Sequence, residues 1–296
     1  MMKKIRGTGV AIVTPFKNDL SVDFAALGRV VKHVIEGGVN YIVALGTTGE
    51  SVTITKDEKK AIISYVAEAI DGRVPLIVGI GGNNTQEVIN SIRQMKLTGV
   101  DGILSVAPYY NKPTQRGLFQ HFKAIAACSA LPIIIYNVPG RTSCNITAET
   151  CIELANECEN IVAVKEASGD MTQIMKIIKG KPESFAVISG DDMLTIPIIA
   201  AGGIGVISVL ANAFPSQCSE IVTNSLKNNF KIARETQFRF LEMIELLFTE
   251  GNPAGVKAMM NTMNLCNNTL RLPLVPVSRS TYSRIQKAIE EVSKKH

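Results

Sequence analysis

The sequence predicts an α/β fold: a (β/α)8 (TIM) barrel over residues 1–224, followed by a C-terminal helical region over residues 225–296. Three observations predict it. Short apolar runs alternate with amphipathic stretches of helical length, which is how βαβ units around a parallel sheet look in sequence. Eight such runs can be counted, the number this barrel needs to close. After Phe214 the strand signal stops and helical periodicity replaces it.

The runs fall in order. Residues 10–13 are ended by Thr14-Pro15, and residues 41–44 lead into Gly46-Thr47-Thr48-Gly49-Glu50-Ser51. Asp57 and Glu58 put acid in the first turn of the helix that follows. The third run, residues 76–78, is followed by a helix opening at Thr85-Gln86-Glu87-Val88. The fourth and fifth, residues 102–105 and 133–136, are apolar to their last residues, and Thr147-Ala148-Glu149-Thr150 resembles a helix cap after them. Residues 161–165, 185–188 and 206–209 complete the set. The tail reads as helices near 232–248, 254–265 and 280–292.

Two other architectures compete. The glycines of Gly79-Ile80-Gly81-Gly82 invite a doubly wound dinucleotide-binding sheet, but they lack the GxGxxG order and follow the third run. The uncharged stretch around Met193 to Ser219 is long enough to suggest a membrane span. Pro197, Gly202, Gly203 and Gly205 cut it into a short helix, a turn and a strand, which favours a barrel wall.

Composition narrows the function class. With 46% hydrophobic and 19% charged residues over 296 positions, the chain is that of a globular protein. Its net charge of +5 is spread without basic runs or interleaved aromatics, so no nucleic-acid groove is expected, and small anionic ligands suit it better. Six cysteines form no CxxC pair and the three histidines are scattered, so no metal site is expected. The spacing of Cys144, Cys151 and Cys158 is read as core packing. Reduced thiols and the absence of an export pattern behind Met1-Met2-Lys3-Lys4 give a cytoplasmic expectation.

Lys165, closing the sixth run, is the most informative residue. An ammonium at the end of a buried strand loses solvation, which favours the free amine, a nucleophile able to form an imine with a ketone. The plainer alternative is a lysine that extends its charge into solvent. The barrel would bring polar residues from other strand ends beside it: the Gly46–Ser51 turn, Tyr109-Tyr110, Tyr136 with Arg141, and Gly190-Asp191. Singly, these have structural explanations in turns and packing. Together they supply a nucleophile, hydroxyl proton carriers, carboxylate donors and a cation.

Gly46-Thr47-Thr48-Gly49-Glu50-Ser51, Tyr136-Asn137-Val138-Pro139-Gly140-Arg141-Thr142 and Val164-Lys165-Glu166-Ala167-Ser168-Gly169 resemble the motifs of the dihydrodipicolinate synthase family. These enzymes, also called 4-hydroxy-tetrahydrodipicolinate synthases, are pyruvate-dependent class I aldolases of the N-acetylneuraminate lyase type. The resemblance implies that Lys165 forms an imine with pyruvate, whose enamine attacks aspartate semialdehyde in lysine and diaminopimelate biosynthesis. It assigns Tyr136 as proton shuttle, with Thr47 relaying toward Tyr110. It gives Thr48 the pyruvate carboxylate, Arg141 the carboxylate of the aldehyde, and Gly190 and Ile207 the cavity wall.

No metal or nucleotide cofactor is implied, and neither nucleic acid nor membrane is a partner. Tyr110 would cross into a neighbouring subunit, so a homodimer or homotetramer is expected. An effector cleft would include Ser51, Lys56, Asn83, Glu87 and Tyr109. Lys56 and Lys59 stand where lysine-sensitive bacterial members carry histidine, which gives an expectation of weak or absent feedback. Two alternatives stay open: an aldolase acting on a 2-oxo-3-deoxy or 4-hydroxy-2-oxo acid, and a non-catalytic binding barrel.

Overall fold

Every apolar run overlaps a strand in the computed structural model, which describes residues 2–293. The strands are β1 (Gly7–Ala11), β2 (Tyr41–Ala44), β3 (Leu76–Gly79), β4 (Gly102–Val106), β5 (Ile133–Asn137), β6 (Ile161–Glu166), β7 (Ala186–Ser189) and β8 (Gly205–Ser208). They pair in chain order, all parallel, and β8 returns to β1 from Gly7↔Gly205 to Val10↔Ser208. The sheet is a closed barrel.

The crossover helices are α1 (Phe24–Glu36), α2 (Lys56–Ile70), α3 (Thr85–Gln94), α4 (Gln115–Cys128), the single turn α5 (Pro139–Thr142), α6 (Ala148–Glu157), α7 (Met171–Gly180) and α8 (Thr195–Ala201). Their starts are set by side chains. Thr55 and Glu58 form a reciprocal capping box on α2, Thr147 caps α6, and Asn84 caps α3. The apolar faces of the helices and the outward strand residues make one core, while inward residues such as Tyr41, Ile77, Leu104, Ile134, Ala163 and Ile207 fill the barrel.

β1 departs from the apolar pattern. It starts at Gly7 and ends at Ala11, and two of its first three residues, Gly7 and Gly9, pass too close to neighbours for a side chain. A Cβ on Gly9 would lie 2.2 Å from the ring of the fully buried Tyr41, and one on Gly205 would lie 1.9 Å from the Gly7 carbonyl. Glycine here permits the seam to close, at the expense of the apolar signal that marks the other strands.

A second irregularity bears on function. Ile133 pairs with Ile161, but Ile134 pairs with Ala163, so the register shifts by one residue at the start of β6. Ile161 packs on the outer core, and strict alternation would put Lys165 on that same outer face. The shift turns Ala163 inward, and Lys165 two residues on with it.

The eighth barrel helix is α9 (Pro215–Leu226), packed on β8 and β1, and the tail comprises α10 (Phe230–Arg239), α11 (Leu241–Phe248), α12 (Ala254–Thr262) and α13 (Arg279–Ser293). The stretch read as one helix from 232 to 248 is two, broken at the fully buried Phe240, whose ring packs edge-on against Phe214. The uncharged 193–219 stretch becomes α8, β8, a 3₁₀ turn and the start of α9. Among the described residues no helix is long and apolar enough to cross a membrane. Cys144, Cys151 and Cys158 are buried free thiols in the outer core.

Candidate active site

Lys165 sits one residue from the end of β6, 5% exposed, between Tyr136 on β5 and Ile188 on β7. Its Nζ lies 4.2 Å from the centroid of the Tyr136 ring. Among the described residues it makes no ion pair. The amine thus lies against an aromatic ring and beside an apolar strand neighbour.

The next residue on each strand faces the other way. Glu166 accepts hydrogen bonds from Asn137 Nδ2 at 3.2 and 3.1 Å, from Gln173 Nε2 at 3.2 Å and from Ser168 N at 2.8 Å. Burial pushes its carboxyl above the usual range, with those hydrogen bonds opposing. Since Asn137 pairs with Glu166 just as Tyr136 pairs with Lys165, the outer network fixes the inner pair.

Thr47, Thr48, Tyr136, Arg141, Lys165 and Gly190 line one cleft of about 550 Å³ over the carboxyl ends of the strands. Gly190 is shaped around the lysine: a Cβ there would lie 3.0 Å from Lys165 Cε and 2.7 Å from Ala167 Cβ. Arg141 projects from α5, exposed and unpaired among the described residues. The Thr48 hydroxyl is buried and accepts from Asn252 Nδ2 at 2.9 Å. Thr47 is exposed to the cleft.

The turn carrying these threonines is anchored from below. Glu50 takes the left-handed conformation at φ 53°, and its buried carboxylate meets Lys257 Nζ at 2.5 Å. That ammonium also donates to the Thr269 carbonyl at 2.8 Å and lies 4.3 Å from the Phe16 ring centroid. Burial lowers the Lys257 ammonium below the usual range, and Glu50 works against that shift.

A second groove of about 390 Å³ shares Gly46, Thr47, Tyr136 and Arg141 with the cleft and runs outward past Ser51, Lys59 and Tyr109. The other expected effector residues, Lys56, Asn83 and Glu87, do not line it, although Asn83 Oδ1 accepts from Tyr109 N at 2.9 Å. Tyr110 lines neither cavity; its side chain is 89% exposed on a left-handed residue at φ 70°. Ile207 packs inside the barrel and is not among the residues lining the cleft.

Sequence reasoning overlooked the tail's share of the site. Ile244, Glu245, Phe248 and Asn252 close one side of the cleft. No local motif marks them, because their role comes from where α11 and α12 dock. Among the described residues no group of three or more His, Cys, Asp or Glu side chains could hold a metal ion.

With this geometry in view, similarity to known proteins becomes informative. A 4-hydroxy-tetrahydrodipicolinate synthase from Parabacteroides distasonis is 50% identical over 98% of this chain and 97% of its own. The structure of a monomeric dihydrodipicolinate synthase variant matches with a TM-score of 0.95 at 41% identity, covering 98% of each chain. That of the Cyanidioschyzon merolae enzyme with lysine bound matches with a TM-score of 0.94 at 37% identity, covering 97% of this chain and 98% of its own. The family model of the dihydrodipicolinate synthetases matches residues 4–292. The chain belongs to the dihydrodipicolinate synthetase family.

Proposed function

We propose that Lys165 carries the reaction as a Schiff base in a condensation that needs neither metal nor nucleotide. The enzyme joins pyruvate to L-aspartate 4-semialdehyde, giving 4-hydroxy-tetrahydrodipicolinate. The Lys165 amine adds to the keto carbon of pyruvate, and loss of water leaves a protonated imine, which acts as an electron sink. A methyl proton leaves and the enamine carbon attacks the aldehyde, whose oxygen takes up a proton. The product's amino group then closes the ring on the imine carbon and releases the lysine.

The observation that carries this reading is the inward, unpaired Lys165 against the Tyr136 ring. Tyr136 moves protons at the imine, and Thr47 relays them. Thr48 holds the pyruvate carboxylate, and Arg141 the carboxylate of the semialdehyde, with its planar fork at the cleft mouth. Gly190 shapes the wall and Ile207 supports it from below. The barrel, residues 1–224, carries the chemistry, and residues 225–296 brace it.

Treatment with pyruvate and borohydride tests this directly. Mass spectrometry is expected to find a reduced pyruvate adduct on Lys165, and its absence in folded protein rejects the reading. Running semialdehyde and sugar-type aldehydes side by side then checks the second substrate.

Tyr110 completes the proton relay in a neighbouring subunit of a homodimer or homotetramer, which accords with its exposure outside its own cleft. Full activity of a monomer in sedimentation contradicts that role. The six free thiols are in keeping with a cytoplasmic enzyme. The outer groove with Ser51, Lys59 and Tyr109 is the candidate lysine site, together with nearby Lys56, Asn83 and Glu87, and feedback through it is weak or absent.

A further inference from the structure

We infer that Asn252, from the turn between α11 and α12, is a positioning residue for the keto acid, acting through Thr48. This rests on the Schiff-base reading above. Asn252 lines the cleft and is only 6% exposed. Its Nδ2 donates to Thr48 Oγ1 at 2.9 Å, across 204 positions of sequence. A hydroxyl has one proton to give and two lone pairs. With a lone pair occupied by the amide, the Thr48 proton is free to point at an anion in the cleft, where a carboxylate is the acceptor that gains most from it.

The other end of the amide makes no competing hydrogen bond. Asn252 Oδ1 is buried without a protein hydrogen-bond partner, a condition that an ordinary structural asparagine avoids. The two segments that carry Asn252 and Thr48 are tied together at a second point. Lys257 on α12, five residues beyond Asn252, is locked to Glu50, two residues beyond Thr48. The helical tail therefore fixes the polarity of the Thr48 hydroxyl as well as its place.

The test is a double-mutant cycle read by borohydride trapping of pyruvate on Lys165. Asn252→Ala is expected to raise the pyruvate concentration for half-maximal trapping about tenfold, the worth of one charge-assisted hydrogen bond. Asn252→Asp keeps the volume but forces Thr48 to donate to the new carboxylate. A rise of similar size is expected from it, so the test stands even where the alanine variant fails to fold. In a Thr48→Val background, neither substitution is expected to add more than a small further change.

Unchanged half-saturation in both variants, or effects that multiply independently of Thr48→Val, overturns the inference. If wild-type protein forms no adduct, the Schiff-base reading fails and takes this inference with it. That result differs visibly from a trapped wild type with indifferent variants. A structural role alone predicts lower melting temperatures with half-saturation unmoved, which also rejects the proposal.

Discussion

Tyr136 and Lys165 are cross-strand partners on β5 and β6, with the lysine Nζ 4.2 Å from the centroid of the phenol ring. The pair exists because the register shift near Val162 turns the lysine into the barrel, onto the face that already holds the tyrosine. Tyr136→Phe keeps the ring and removes the phenolic hydroxyl proposed above to carry protons. Turnover is expected to fall roughly 10²–10⁴-fold, the range of a lost general acid–base group, while borohydride trapping at long times still marks Lys165. A phenylalanine variant with near-normal turnover contradicts the shuttle role.

Gly190 gives a steric test of the same lysine. A Cβ there falls 2.7 Å from Ala167 Cβ and 3.0 Å from Lys165 Cε. Gly190→Ala is expected to push the lysine from its place, lowering the rate of adduct formation at least tenfold, on the scale of misplaced reacting groups. Circular dichroism and trapping rate, measured together, separate this from general unfolding.

The strands with apolar residues throughout were legible in the sequence, and so were the polar motifs at their ends, because both are local patterns. β1 was legible only at its carboxyl half, since Gly7 and Gly9 are there to admit the Asn40 and Tyr41 side chains. The inward aim of Lys165 depends on a shift in pairing with a neighbouring strand, which no single-strand pattern encodes. Asn252 and Lys257 escaped notice for the same reason. Their partners, Thr48 and Glu50, lie more than 200 residues away, and only the docking of α12 brings them together.

Lys59 bears on regulation. It lines the outer groove, and its ammonium is lowered from the ordinary value first by burial and then by the nearby Lys56. A partly desolvated cation opposes the ammonium of a lysine effector, although it can favour its carboxylate. Weak inhibition of the purified enzyme by lysine is expected, with Lys59→His more sensitive. Strong inhibition at sub-millimolar lysine, or no gain from the histidine, goes against this reading.

His121 sets one part of the pH profile of stability. Its ring is buried, bonded through Nδ1 to Thr85 Oγ1 at 2.8 Å, and burial lowers its pKa to about 4. The folded state therefore binds fewer protons than the unfolded chain between the ordinary histidine value and that figure. Its contribution is complete above about pH 6.5 and is lost as pH falls toward 4. The loss is on the order of 3 kcal/mol for such a shift. His121→Asn, followed by urea unfolding between these limits, is expected to flatten the slope. Glu58, which Arg271 holds down to about 2, governs only the more acidic range.

Glu50 and Lys257 test how far the tail is coupled to the barrel. Both side chains are fully buried, the carboxylate also accepts from Arg271 N at 3.1 Å, and the ammonium has the Thr269 carbonyl as its second partner. Removing one charge strands the other in a dry site, at a cost of about 3–5 kcal/mol, whereas replacing both with apolar groups of similar size costs much less. Lys257→Met alone is therefore expected to destabilise more than Lys257→Met combined with Glu50→Leu. The double variant is nevertheless expected to need more pyruvate for half-maximal trapping, because the Gly46–Ser51 turn has lost its anchor while Lys165 is untouched. Chemical unfolding and trapping curves on the same samples distinguish the two effects. A double variant that is restored in stability and also binds pyruvate normally leaves the ion pair with no part in the site.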